Sequence, residues 1–253
     1  MTSLENLQNI LQKNHKIAIA FSGGTDSTWL LYIAKKMGAD CHAFYVKSAF
    51  QPASELDDVR QLANDLHCPL SVIKIDTLAD PGIACNPSER CYLCKKRIFT
   101  AMLEEASALG YSCLMDGTNA SDDASDRPGM KALAELGIRS PLREAGMTKA
   151  DIRQASREAG LPTADKPACA CLATRIPHGE PLTKEKLIKV DSAEAFLKAL
   201  GFHDLRVRCC DGHARIQIPL AQFEYLLKCR KEIAEKFSVW FKSSSLDLTP
   251  REN

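Results

Sequence analysis

The spacing of hydrophobic positions changes period along the chain, and each change marks an element. Leu4, Leu7, Ile10 and Leu11 recur at helical spacing, so a helix is predicted over Leu4 to Gln12. Lys16–Phe21 is a short apolar run, the pattern of a strand buried on both faces of a parallel sheet. Helical spacing resumes over Thr28–Ala34. Cys41–Val46 then reads as a second strand, and Pro52–Leu66 as an amphipathic helix with Leu56, Val59, Leu62, Ala63 and Leu66 on one face. Ser71–Ile75 is a third strand, Cys91–Leu109 a helix, and Cys113–Met115 a fourth strand that runs into Asp116-Gly117-Thr118-Asn119. Strands alternating with helices imply an α/β fold, a doubly wound parallel sheet holding ligands beyond the C-terminal ends of its strands.

The second half is less regular. Ser121–Gly146 reads as polar and loop-rich, with Asp122, Asp123, Asp126 and the tripeptide Arg127-Pro128-Gly129. A helix over Lys149–Ala159 closes the first domain. Leu161–Leu182 holds four prolines and has no clear period, which predicts a long ordered loop. Thr183–Leu200 is an amphipathic helix with Thr183 at its start. Strands at Leu205–Cys209 and Ala214–Ile218, a helix over Leu220–Phe237 and a last strand near Val239–Lys242 complete a smaller C-terminal α+β domain. The expected organisation is therefore a nucleotide domain over 1–160, a cysteine-bearing active-site loop over 161–182, and a substrate or oligomerisation domain over 183–253.

Between the first strand and the next helix lies Ser22-Gly23-Gly24-Thr25-Asp26-Ser27. A strand, a glycine-rich turn and a helix N-terminus make an anion site, because unpaired backbone N–H groups and the positive end of the helix dipole face the turn. No lysine is present, so this is not a Walker A loop, and the third glycine of the dinucleotide fingerprint is missing. The arrangement resembles the pyrophosphate loop (PP-loop) of the N-type ATP pyrophosphatases, which adenylate a carboxylate or carbonyl and release pyrophosphate. The bland alternative is a serine-rich turn that only caps a helix. Gly117-Thr118-Asn119 falls at the same sheet edge, as a nucleotide contact or a mere turn.

The composition narrows the setting. The chain has 253 residues, 45% of them hydrophobic, and a formal net charge of +1. It can bury a core, and its charge makes no case for a general nucleic-acid or membrane binder. No run of about 18 apolar residues occurs, and the N-terminus lacks the pattern of a signal peptide. A cytoplasmic protein is expected. Eleven cysteines then call for an explanation other than disulfides. Cys41, Cys68, Cys113 and Cys229 sit in apolar patterns and read as small core residues. Cys91 and Cys94 form a Cys-x-x-Cys pair at a helix start followed by Lys95, Lys96 and Arg97, a setting that favours thiolate chemistry. Cys169 and Cys171 lie in the long loop, and Cys209-Cys210 end a strand. A structural zinc site, a redox dithiol, and an iron–sulfur cluster held by Cys91, Cys94 and one loop cysteine all remain open on spacing alone.

Taken together, Ser22–Ser27, Arg90-Cys91-Tyr92-x-Cys94-Lys95, Asp116–Asn119, Arg127-Pro128-Gly129, Cys171–Gly179, Arg206-Val207-Arg208 and Ala214-Arg215-Ile216 resemble the LarE family. These are the sulfur transferases that build the nickel-pincer nucleotide cofactor of lactate racemase. They cover almost the whole chain in order. The resemblance implies the PP-loop, adenine nucleotide alpha hydrolase-like fold and two chemical steps. ATP adenylates a carboxylate of a pyridinium dicarboxylate mononucleotide, with pyrophosphate departing into Ser22, Gly23, Gly24, Thr25, Asp26 and Ser27. A sulfur nucleophile then displaces AMP. Adenylation makes the better leaving group, and the loop stabilises the charge on the departing pyrophosphate. Asp26 is expected to partner Mg²⁺, with capping of its helix as the alternative, and Gly117 to contact the nucleotide.

Some family members sacrifice a cysteine as sulfur donor. The matching position here is Ala170, which carries no sulfur, although Cys169 and Cys171 remain as donors. The chain instead resembles the branch in which Cys91, Cys94 and Cys171 hold a 4Fe-4S cluster that takes up inorganic sulfide or another sulfur donor. Arg206 and Arg208 alternate on a strand, so both face one side and suit a phosphate. By resemblance they bind the mononucleotide's phosphate, with Glu194 nearby, while Arg175 serves as a substrate contact or a loop anchor. Gln217 stands where the family has Glu, and Cys209 and Cys210 have no assigned role. The family also implies a homo-oligomer, up to a hexamer. Two other readings are a tRNA thiolase of the same superfamily, disfavoured by the near-neutral charge, and a nucleotide-binding module with a structural zinc.

Overall fold

The structure is a computed structural model that describes residues 2–122, 127–167 and 170–251. The chain forms two compact units, one from Met1–Ser48, Ser54–Ile75 and Glu89–Ala168, the other from Ala49–Ala53, Asp76–Ser88 and Cys169–Asn253.

The first unit is built on strands β1 (Lys16–Ala20), β2 (Asp40–Lys47), β3 (Leu70–Lys74) and β4 (Leu114–Met115), all parallel, in the order β3-β2-β1-β4. Side chains alternate across the two faces of each strand. Ile17, Ile19, Ala43 and Tyr45 join one apolar cluster, which includes residues of helices α1 (Ser3–Gln12), α2 (Thr25–Lys36) and α3 (Glu55–Asp65). Ala18, Phe44 and Val46 join a second, with Phe99, Met102 and Ala106 of α5 (Arg90–Ala108). The doubly wound α/β expectation holds. Helix α2 begins at Thr25, three residues ahead of the apolar pattern, because its polar first turn lies beside the loop. Ser121–Gly146 is not simply a loop, since it carries α6 (Arg127–Glu135) and α7 (Pro141–Glu144). Met130, Leu133 and Leu136 recur every three residues and put α6 onto the second cluster. Helix α8 (Lys149–Glu158) opens with a capping box between Thr148 and Asp151.

In the second unit, the short helix α4 (Pro81–Ala84), a 3-10 turn at Leu172–Arg175, α9 (Lys184–Ala199) and α10 (Phe223–Ser238) accompany a sheet ordered β5-β6-β7. Thr183 caps α9 by accepting from the Lys186 N–H at 3.2 Å. Strands β5 (Arg206–Cys210) and β6 (His213–Gln217) are antiparallel and turn at Asp211-Gly212, both at positive φ (49° and 81°), which is the geometry of a tight hairpin. Val207, Cys209, Ala214 and Ile216 are buried on one face of this hairpin. Strand β7 (Ser243–Leu246) runs parallel to β6. The last strand therefore lies beyond the expected Val239–Lys242. Phe241 in that stretch instead continues the aromatic cluster at the end of α10, 5.5 Å from Phe237 between ring centroids. Among the described residues, no helix is long and apolar enough to cross a membrane.

Candidate active site

The loop after β1 is shaped by backbone constraints. Gly23 takes a φ of 66°, and a Cβ there would stand 2.9 Å from Val59 Cγ2. Gly24 is the N-cap of α2 and offers no side chain, so backbone alone presents the helix terminus. The Ser22 and Ser27 hydroxyls lie 3.1 Å apart, and Thr25 donates to the Thr163 carbonyl at 2.7 Å. Thr25 thereby fastens the loop to the segment after α8. Gly117 follows β4 and approaches α2 so closely that a Cβ would meet the Ser27 nitrogen at 2.9 Å and its Cα at 3.2 Å. The Gly117 position is thus a required backbone contact against the first turn of α2.

Asp26 does not cap its own helix. Its carboxylate accepts from Lys149 Nζ at 2.6 Å and from the Asn119 amide at 3.4 Å. Asn119 is buried and is itself held in place, its backbone N–H donating to Asp122 at 2.7 Å. Asp116, just before the glycine, is buried and accepts from the Ser140 and Thr118 hydroxyls. Burial pushes its carboxyl above the ordinary range, and those hydroxyls pull it partly back. Asn119 belongs to the Gly117-Thr118-Asn119 tip singled out at the sheet edge, whereas Lys149 is a residue the sequence left unassigned. Lys149 stands 123 positions from Asp26, so no local spacing reveals it.

Cys91 and Cys94 occupy the first turn and a half of α5, three residues apart and on one side of the helix. Both are half-buried, and the Arg90 guanidinium approaches the Cys91 sulfur at 3.7 Å. Between them, Tyr92 donates to Glu135 of α6 at 2.6 Å, and Lys96 and Lys131 lie over its ring. Two thiols on one helix face suit a thiophilic metal or cluster. Cys171 belongs to the second unit and is half-buried, while Cys169 lies outside the described residues. Among the described residues, no group of three His, Cys, Asp or Glu side chains gathers as a metal site, and the ten described cysteines are free thiols.

In the second unit, Arg175 and Glu194 form a buried pair. Nε donates to Oε1 at 2.8 Å and Nη2 to Oε2 at 3.1 Å, while Nη1 reaches the carbonyls of Ala170 and Cys171 at 2.9 and 3.2 Å. Glu194 also accepts from the Val207 N–H at 3.0 Å. These are the contacts of a loop anchor, tying the cysteine-bearing segment to α9 and β5. Asn86 braces the same segment by donating to the Pro177 and Glu180 carbonyls at 2.7 and 3.0 Å.

A cavity of about 460 Å³ opens on the polar face of the small sheet, lined by Arg175, Arg208, Arg215, Cys210, His213 and Gln217 among others. Arg208 and Arg215 are directly opposed across the hairpin. Like charges in that register are unfavourable unless something offsets them. Burial and the neighbouring Arg175, Arg215 and Arg251 lower the pKa of Arg208, whose donors reach Gln217 and the Thr174 carbonyl. Arg215 leans 3.4 Å toward Asp247. Arg206 is not among the lining residues; its Nη1 donates to the Leu205 carbonyl at 2.8 Å. The basic residues opposed within the cavity are thus Arg208 and Arg215, with Arg206 on the same strand face as Arg208. The turn signal Asp-Gly at 211–212 fixes this register and was the available clue.

The profile of the PP-loop domain family matches residues 1–108. The chain is 37% identical to an uncharacterized protein of Synechocystis over 228 residues, 90% of this chain and 85% of that one. It is 32% identical to the pyridinium-3,5-bisthiocarboxylic acid mononucleotide synthase of Lactiplantibacillus plantarum over 250 residues, 98% of this chain and 91% of that one. A tRNA-specific 2-thiouridylase of Clostridium botulinum matches at 27% identity, over 59% of this chain and 52% of its own length.

Proposed function

We propose, for a chain that belongs to the LarE family of PP-loop, ATP-dependent sulfur transferases, that the sulfur acceptor is a pyridinium dicarboxylate mononucleotide. The observation that carries this reading is the arginine-lined cavity of the second unit, where opposed Arg208 and Arg215 suit an anion such as a nucleotide phosphate. The Lactiplantibacillus relative is a synthase of the corresponding bisthiocarboxylic acid mononucleotide, which matches that chemistry. In the first step, a substrate carboxylate oxygen attacks the α-phosphorus of ATP and the bond to the β-phosphate breaks. The amides of the 22–27 loop and Lys149 take up the charge of the leaving pyrophosphate. Asp26 offers a carboxylate to the Mg²⁺ that accompanies the triphosphate, which binds with few protein ligands. In the second step, a sulfur nucleophile attacks the acyl carbon and AMP leaves.

Cys91, Cys94 and Cys171 are the residues that would hold a 4Fe-4S cluster. When bound, it would supply sulfide at an iron that no protein thiolate occupies. The reaction draws on ATP and reduced thiols, a cytoplasmic setting, and places the enzyme in nickel-pincer cofactor assembly. A tRNA substrate fits less well, because the net charge of +1 supplies no electrostatic footprint for RNA.

The test is a turnover assay with nicotinic acid mononucleotide dicarboxylate analogues, following pyrophosphate release and an oxygen-for-sulfur mass change. Arg208→Gln should weaken mononucleotide binding by roughly tenfold or more, as loss of a charged hydrogen bond implies. Pyrophosphate release that needs tRNA instead would refute the reading. Anaerobically prepared wild type should contain iron and Cys91→Ala should lose it. Equal iron in both refutes the cluster.

A further inference from the structure

We infer that Cys210 is a sulfur-carrying thiol of the mononucleotide cavity, a station separate from Cys91, Cys94 and Cys171. The inference rests on the mononucleotide reading above.

Alternation along β5 separates the two neighbouring cysteines. Cys209 is buried with Val207, and burial pushes its thiol pKa up. Cys210 is exposed and shares the face of Arg208. It lines the same cavity as Arg175, Arg208 and Arg215, and among the described residues no other cysteine lines it. The hairpin register puts Cys210 opposite His213, whose ring nitrogen Nδ1 lies 2.8 Å from the Ser243 hydroxyl. The rigid two-residue turn at Asp211-Gly212 holds this pair at the cavity mouth. A nucleophilic sulfur, an imidazole and a cluster of arginines suited to an anion therefore share one cavity. An enzyme that moves sulfur onto an anionic substrate has a use for that combination, and packing does not require the exposed thiol.

The chemistry is thiol–persulfide exchange. The Cys210 thiolate attacks the outer sulfur of a low-molecular-weight persulfide, R–S–SH. The donor's S–S bond breaks, a new S–S bond forms on Cys210, and R–S⁻ departs, with no net oxidation. Delivery follows when that outer sulfur, deprotonated, attacks the adenylated carboxyl carbon and AMP leaves. A second thiol, R′–SH, then cleaves the resulting S–S bond. It gives the thiocarboxylate, a Cys210–S–S–R′ mixed disulfide and a proton, and a further thiol reduces the mixed disulfide.

The full chain would be treated with glutathione persulfide, alkylated and peptide-mapped. The peptide carrying Cys210 should gain the mass of one sulfur atom in wild type and in Cys85→Ser, a control at another exposed cysteine. The gain at that peptide should vanish in Cys210→Ser, whose fold is checked by circular dichroism. Nicotinic acid mononucleotide at roughly ten times its Kd should slow the modification about tenfold, since about a tenth of sites stay free. Absence of sulfur on Cys210, or modification at one rate with and without a mononucleotide that calorimetry shows to be bound, overturns the inference and leaves the proposed function standing. A mononucleotide that does not bind at all overturns both.

Discussion

Arg175 and Glu194 are only 1% and 4% exposed at their side chains, so each is the other's solvent. Removing one partner strands a buried charge, at a cost of about 3–5 kcal/mol. Glu194→Leu is expected to lower the unfolding free energy measured in urea by that amount, and Arg175→Met/Glu194→Leu to recover part of it. Recovery stays partial because Arg175 also holds the Ala170 and Cys171 carbonyls. A single variant as stable as wild type contradicts the assignment. Asp26 and Lys149 are part-exposed, which makes them dispensable for folding and available to ligands. Lys149→Gln should retain the wild-type unfolding midpoint while pyrophosphate release slows by about 10²–10³, the range for losing one charge-stabilising donor. Unaltered turnover in that variant would exclude Lys149 from the phosphate site. At this scale the sequence reveals Asp26, which sits inside a six-residue motif. It is silent on Lys149, whose relation to Asp26 exists only after α8 packs beside α2.

Elements meet most tightly where Gly117 touches the start of α2. Gly117→Ala places a methyl 2.9 Å from the Ser27 nitrogen, against backbone that cannot swing away. The expected result is a destabilisation of about 1–3 kcal/mol from overpacking, together with weaker ATP binding by titration calorimetry, because the shifted backbone belongs to the proposed anion site. Tight ATP binding in a stable Gly117→Ala protein would show the contact to be slack. The strands β1 to β3 and the long helices are legible because their apolar periods are unbroken. Helix α6 is hidden by its length and by the polar run before it. Strand β7 is hidden because Ser243-Ser244-Ser245 carries no apolar signal and is exposed, so its pairing with β6 alone makes it a strand.

Across the whole molecule, thiol burial links stability to pH. Burial, with Cys68 adding to it, pushes Cys41 from 9.0 up to about 12, and burial with the Asp40 hydrogen bond pushes Tyr111 from 10.0 to about 12. Both groups ionise earlier in the unfolded chain. Their contribution is fully present below about pH 9 and is lost as pH rises toward 12, at up to about 1.4 kcal/mol per pH unit for each proton. The urea midpoint should therefore fall above about pH 9, and fall less steeply in Cys41→Val; identical slopes would rule out Cys41 as a source. The parallel sheet, the glycine loop at its edge, the cysteine pair at a helix start and the basic strand were all determined by the sequence, because each depends on neighbours within a few residues. The tertiary structure decided what lies across from them. It set Lys149 against Asp26, joined Arg175 to Glu194, set Arg215 opposite Arg208, and turned Cys210 toward the cavity while Cys209 faces the core. Those pairings depend on strand register and helix packing, which bring together residues that the chain keeps apart.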